Sequence, residues 1–287
     1  MIPKLKIAAP LVLLMALAAP SFAEIEYVSN QDGSFGSLNT TTWAFTTIAT
    51  GLPVFNGMAY VGGVLYGDNG SNIYKIDTTT GATTAVGTTS LAYAQIGTQV
   101  GNSLYVGGYL SSGPSNFYLG LDNLTSGGPM NLGAMTSYTG CANLAAGMAG
   151  VGSMLYVALD ETNSNGTGCS HSTVPTATNA LYTANLSTGA LTEVGATGLP
   201  LNEVSGMFTN NGVLYAYLQL SGHDAIYSVN TSTGAATFVA NTSTQFASAA
   251  DAASAGSAAT PEPGTVWMGL TGLLSACWLR KRKNAQR

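Results

Sequence analysis

Charge is the scarcest commodity in this 287-residue chain. Lys, Arg, Asp and Glu together make up 7% of it, against roughly 25% in an ordinary soluble domain. Bases are scarcer still away from the ends, where Lys75 stands alone between Glu24 and Pro263. One base against thirteen acids leaves that stretch at a formal −12. A nucleic-acid surface neutralises phosphates with clustered Lys and Arg, so nucleic acid is excluded as a partner of the body. Histidine is limited to His171 and His223, and cysteine to Cys141, Cys169 and Cys277. With no Cys-x-x-Cys and no His-Glu-x-x-His, a structural or catalytic metal is not expected. No Gly-x-Ser-x-Gly elbow, phosphate loop or dinucleotide fingerprint occurs either. The expectation is a protein that is not an enzyme and carries no cofactor. Neither terminal greasy run, Ile7–Ala19 or Val266–Leu279, reaches the about 20 residues of an ordinary membrane span.

Apolar residues are abundant at 46%, enough to bury a sizeable core. The first residues, "MIPKLKIAAPLVLLMALAAPSFAEIE", place Lys4 and Lys6 before the apolar run, with small residues at Ser21 and Ala23. That is the form of a secretory signal peptide, residues 1–23, with cleavage expected between Ala23 and Glu24 after passage through the Sec translocon. An exported chain meets an oxidising compartment. Cys141 and Cys169 are therefore the candidate disulfide, with two free thiols as the alternative.

One stretch recurs through the body. "NIYKIDTTTGATTAVG" from Asn72 returns as "ALYTANLSTGALTEVG" from Ala180 and "AIYSVNTSTGAATFVA" from Ala225, with a looser copy from Asn116 and a decayed one, "SFGSLNTTTWAFTTIA", from Ser34. Alternating apolar and polar residues on either side of a Ser/Thr/Gly turn predict a β-hairpin. Asp77, Asn185 and Asn230 can bond their own backbone to start the turn, and Gly81, Gly189 and Gly234 accept positive φ at its end. A second hairpin alternates with the first, as in "GMAYVGGVLYG" from Gly57 and "GMFTNNGVLYAYL" from Gly206. Two hairpins make a four-stranded unit, and units spaced roughly 40–60 residues apart match propeller blades.

Tyr27 aligns with Tyr66, so the first unit has three strands and lacks its inner one. Four full units follow, and "NTSTQFASAADAA" after Ala240 could supply the missing strand. The expected fold is all-β, a β-propeller of five blades over residues 24–250, with four or six blades or a sandwich as alternatives. Repeated tyrosines are expected to pack between blades.

The loops joining second to third strands carry Asp68, Asp160, Glu161, His171, His223 and Asp224. They compose a candidate site on one face, as a propeller lactonase or lyase would need. The plainer reading makes them solvated turn residues. "GDNGSN" at Gly67 and "DETNSNG" at Asp160 are rich enough in oxygen to suggest calcium, yet such Asx-Gly clusters are also ordinary turn chemistry. A glycan- or protein-binding role for this loop face is the further alternative.

Residues 251–260 read as a flexible linker. Then come Pro261, Glu262 and Pro263, the apolar segment 266–279, and Arg280, Lys281, Arg282 and Lys283. In this order, residues 261–287 resemble the PEP-CTERM sorting signal of Gram-negative bacterial surface proteins, with Gly264-Thr265 where Ser-Thr is commoner. The resemblance implies recognition near Pro-Glu-Pro by an exosortase, a membrane transpeptidase. It further implies an exported protein of the cell envelope, transiently held in the inner membrane, with exopolysaccharide or surface proteins as partners. The basic block acts as a cytoplasmic stop under the positive-inside rule.

Overall fold

A computed structural model describes residues 25–89, 91, 93–109, 117–122, 124, 130–135, 142–162, 178–200, 204–220, 223–242 and 249–254; for Glu161 and His223 it describes the backbone alone. The described residues hold twenty β-strands and no helix. They form antiparallel meanders of four strands, each running from an innermost strand outward. The first is β20 (Ala249–Ser254), β1 (Ile25–Asn30), β2 (Phe35–Asn39) and β3 (Ala44–Ala49). The second is β4 (Gly57–Val61), β5 (Val64–Asp68), β6 (Asn72–Ile76) and β7 (Thr83–Thr88). The third is β8 (Tyr93–Val100), β9 (Ser103–Tyr109), β10 (Tyr118–Asp122) and β11 (Met130–Ala134). The fourth is β12 (Ala142–Val151), β13 (Met154–Thr162), β14 (Thr178–Ala184) and β15 (Leu191–Pro200). The fifth is β16 (Val204–Asn210), β17 (Val213–Leu220), β18 (His223–Val229) and β19 (Ala236–Asn241). A single parallel bridge, Gly57 to Gly97, joins the second and third units into one eight-stranded sheet.

The architecture is propeller-like. Innermost strands pack in cyclic order, β4 on β8, β8 on β12, β12 on β16, β16 on β20, and β20 on β4. A hydrophobic cluster lies between each pair of neighbouring units. Met148 and Leu159 meet Phe117 and Leu119, for example, and Phe208 and Ile226 meet Val28 and Leu38. Tyrosines take part as their repeated positions predict: Tyr27 stacks on Tyr60 of the next unit at 6.2 Å between ring centres. Small residues let the inner strands approach. A Cβ on Gly57 would lie 2.8 Å from the Cα of Gly97.

The repeated hairpin forms as its sequence predicts. The side-chain oxygen of Asp77 accepts the N–H groups of Thr79 and Thr80, both at 2.8 Å, and those of Asn185 and Asn230 accept from their own turns. Gly81, Gly189 and Gly234 follow with φ of 74°, 72° and 79°. Each of these turns abuts the outer strand of the preceding unit. A Cβ on Gly234 would come 2.4 Å from the carbonyl oxygen of Gly195.

All five outer strands carry the same β-bulge. In β7, Ile73 pairs Gly87 and Tyr74 pairs Ala85, leaving Val86 over. Ile48, Leu132, Val194 and Val239 are left over in the same way.

Strand β20 pairs β1 from Glu26–Ser254 to Asn30–Ala249 and so completes the first unit from the far end of the chain. Residues 251–254, which composition assigns to a linker, are thus part of a strand. Their Ala and Ser content suits a flexible tail, yet it suits equally an inner strand at a crowded axis.

Candidate functional site

The register defines two ends of the inner hairpins. At one end lie the tight turns from first to second strand. At the other, second strands lead into third strands, and this end carries the sequence-predicted acids. Asp68 closes β5 and is fully buried; its Oδ1 accepts the N–H of Gly70 at 2.5 Å. Asp160 in β13 is buried, and its Oδ1 accepts from Nδ2 of Asn179 at 3.0 Å. Asn179 is itself bonded by Thr197, whose hydroxyl donates to the Asn179 carbonyl at 2.8 Å. Asp224 in β18 is buried, and the Tyr217 hydroxyl donates to its Oδ2 at 3.2 Å. Burial, and then the charge and bond of Asp224, push the Tyr217 hydroxyl far above its ordinary pKa.

These acids are not solvated turn residues, as a plain reading of the loops expects. Each turns inward at its hairpin, where a buried carboxylate requires hydrogen-bond donors. The donors Gly70, Asn179 and Tyr217 each belong to the same unit as their acid, so these bonds fasten the second-to-third strand junctions. Among the described residues, no three His, Cys, Asp or Glu side chains are grouped to hold a metal ion. The structure brings Asp68, Asp160 and Asp224 to one end without joining them into one cluster. His171 lies outside the described residues, and Glu161 and His223 are placed by backbone only.

The oxygen-rich stretch at Gly67 directs its side-chain oxygens to its own backbone. Besides the Asp68 bond, Oδ1 of Asn69 accepts the N–H groups of Ser71 and Asn72 at 3.2 and 2.9 Å. Sequence reasoning missed Asn30, Asn179 and Asp122, three further buried polar residues. Asn30 donates to the Ser34 hydroxyl at 2.8 Å, and Thr89 donates to Asp122 at 3.4 Å. Asn30 ends the second strand of its unit as Asp68 does, and that position was the available signal.

Several other sequence-predicted residues lie outside the described residues: Ala23, Glu24, Cys141, Cys169, Pro261, Glu262, Pro263 and Arg280 to Lys283. Ala142 does pair Thr162, so the chain enters β12 beside the point where it leaves β13. Among the described residues no helix is long and apolar enough to cross a membrane.

No family model matches the chain, and no curated protein matches it by sequence. Solved structures do resemble it. A chain of a nidogen/laminin complex superposes with a TM-score of 0.51 at 10% identity, over 82% of this chain and 98% of that one. TolB from Acinetobacter baumannii gives 0.46 at 13% identity, covering 81% and 66%. A protein of unknown function from Bacteroides caccae gives 0.43 at 13%, covering 81% and 99%. At such identities the likeness is one of fold.

Proposed function

We propose that this chain is an exported five-bladed propeller, delivered to the cell envelope by its C-terminal sorting segment, with a structural or adhesive rather than catalytic task. The observation that carries the reading is the place of β20. Strand β20 pairs β1 and contacts β16 and β4, and it ends at Ser254, which supports reading residues 255–287 as a delivery segment. Those residues hold Pro-Glu-Pro, the fourteen-residue apolar run and the basic stop, beside a signal peptide at the other end. Five core clusters between cyclic neighbours support the blade count. A non-catalytic role is supported by Asp68, Asp160 and Asp224, each engaged in fastening its own hairpin.

The test is the intact mass of the mature protein from envelope and culture fractions of an exosortase-bearing host. Loss of both the signal peptide and the segment after Pro-Glu-Pro is expected. A mature chain that retains residues 264–287 overturns the sorting role.

A further inference from the structure

The end of the ring with the tight inner turns differs in character from the end with the acids. Its inner turns are Gly62–Gly63, Gly101–Asn102, Gly152–Ser153 and Asn211–Gly212, with no charge among them, while the outer turns at this end bring one exposed carboxylate, Asp77. The residues opening the second strands stand at equivalent positions, each two before a repeated tyrosine: Ile25, Val64, Ser103, Met154 and Val213. Four are apolar. Ile25, Met154 and Val213 are 40%, 45% and 42% exposed, half of the large apolar side chains exposed among the described residues. Single exposed apolar residues mean little; here three repeat one position around one axis. Asp32, Asp68, Asp160, Glu161 and Asp224 lie at the opposite end.

Strand direction shows which end faces the tail. Ser254 pairs Glu26, so the chain leaves β20 where β1 begins. The Phe55 N–H, just before β4, donates to the hydroxyl of Ser29 near the end of β1, so β4 starts at the opposite end and turns at this one. The parallel bridge Gly57–Gly97 carries the same sense from β4 to β8, and the close approach of Gly150 to Gln99, both just ahead of their tight turns, carries it to β12. Eleven residues separate Ser254 from Val266. A linker of that length has a root-mean-square reach of about 20 Å as a random coil and an extended limit of roughly 40 Å.

We propose that this end is a membrane-facing surface, whose apolar rim seats on the bilayer beside the anchored tail. The proposal rests on the sorting reading above and concerns the chain while its tail is still in the membrane, before the segment after Pro-Glu-Pro is removed. The short tether holds this end at the lipid interface, where Ile25, Met154 and Val213 contact the headgroup–acyl boundary. The acids of the opposite end lie away from anionic headgroups, which repel carboxylates, and Asp77, in an outer turn, is the exposed exception. The end with the second-to-third strand junctions is thereby presented outward for contacts with other envelope components.

Full-length chain is reconstituted in phosphatidylethanolamine–phosphatidylglycerol vesicles with one added cysteine, Ser153→Cys at the apolar end or Ser71→Cys at the acidic end. Reaction with a polyethylene-glycol maleimide is read as an extra gel shift above the native-cysteine background. Ser71→Cys is expected to react in vesicles and in detergent, whereas Ser153→Cys reacts only in detergent. Adding Met154→Asp and Val213→Asp restores the reaction of Ser153→Cys in vesicles, which steric crowding by the tether alone would not allow. Equal reaction at both positions in vesicles overturns the orientation. Protection of Ser153→Cys that persists in detergent also overturns it, and points to a second copy as the occupant. Protein that fails to float with the vesicles refutes the anchoring reading itself.

Discussion

Trp43 stands where Gly81, Gly189 and Gly234 stand in other units, and it keeps their left-handed backbone with φ of 56°. Its N–H bonds the Asn39 carbonyl at 2.7 Å, as those glycines bond theirs. For a bulky residue this conformation costs about 1–2 kcal/mol. The indole offsets that cost by packing across to the fifth unit, 5.5 Å from the Tyr215 ring. Trp43→Ala should lose about 3 kcal/mol by removing the ring. Trp43→Gly should be milder by about 1 kcal/mol because it relieves the strain as well. Urea midpoints decide this, and a glycine variant weaker than the alanine variant refutes the strain argument. Asp77 does with a carboxylate what Asn185 and Asn230 do with amides. The N–H groups of Thr80 and then Thr79 hold its carboxyl below the ordinary value. A folded pKa below the unfolded one stabilises the protein above about pH 4 and loses that contribution as pH falls through the folded value. Asp77→Asn should therefore match the parent at neutral pH and lose less in melting temperature on acidification. An identical acid-induced loss in both proteins argues against the linkage.

At the scale of elements, the five bulges protect the rim of the molecule. Outer strands expose an unpaired edge, which proteins commonly guard with lysine. This body has only Lys75, so bulges take over by bending and twisting the edge. Val86 is 41% exposed, and its presence in the backbone should count for more than its side chain. Val86→Thr is expected to change stability by no more than about 0.5 kcal/mol, while deleting Val86 straightens β7 and costs about 2 kcal/mol. Light scattering should rise for the deletion alone. Equal behaviour of the two variants would show that the bulge guards nothing. The sequence displays the apolar-small pair in every copy, together with the turn residues and the tyrosines, because these follow local periods and local hydrogen bonds. It hides the bulge, since an extra residue in a two-residue period looks the same as a strand ending. Burial of Asp68, Asp160 and Asp224 is hidden for a related reason. Aspartate beside a polar stretch that contains Gly, Asn or Ser reads as a wet turn, and only pairing geometry turns the carboxylates beneath their loops.

At the scale of the molecule, stability should depend on β20, a strand of four alanines, one aspartate and one serine. The inner strands β4, β8, β12 and β16 are each tied to their second strand by a two-residue turn. Strand β20 has no such tie; it reaches β1 only after the other nineteen described strands have been laid down. It touches β16 on one side and β4 on the other, so its loss opens two interfaces and bares the inner edge of β1. Loop-closure entropy grows only slowly with length, which lets a six-residue strand close a chain of more than two hundred residues. A chain ending at Ser254 should thus unfold at the same denaturant midpoint as full-length protein in detergent. One ending at Asn241 should unfold earlier and over a broader range, with amides of β1 losing hydrogen-exchange protection before those of β13 and β17. Such a graded loss reflects units that contact only their neighbours, so damage spreads from the open interface. If the chain ending at Asn241 keeps both its midpoint and the protection of β1, the ring does not need its closing strand, and the cyclic core clusters hold the molecule without it.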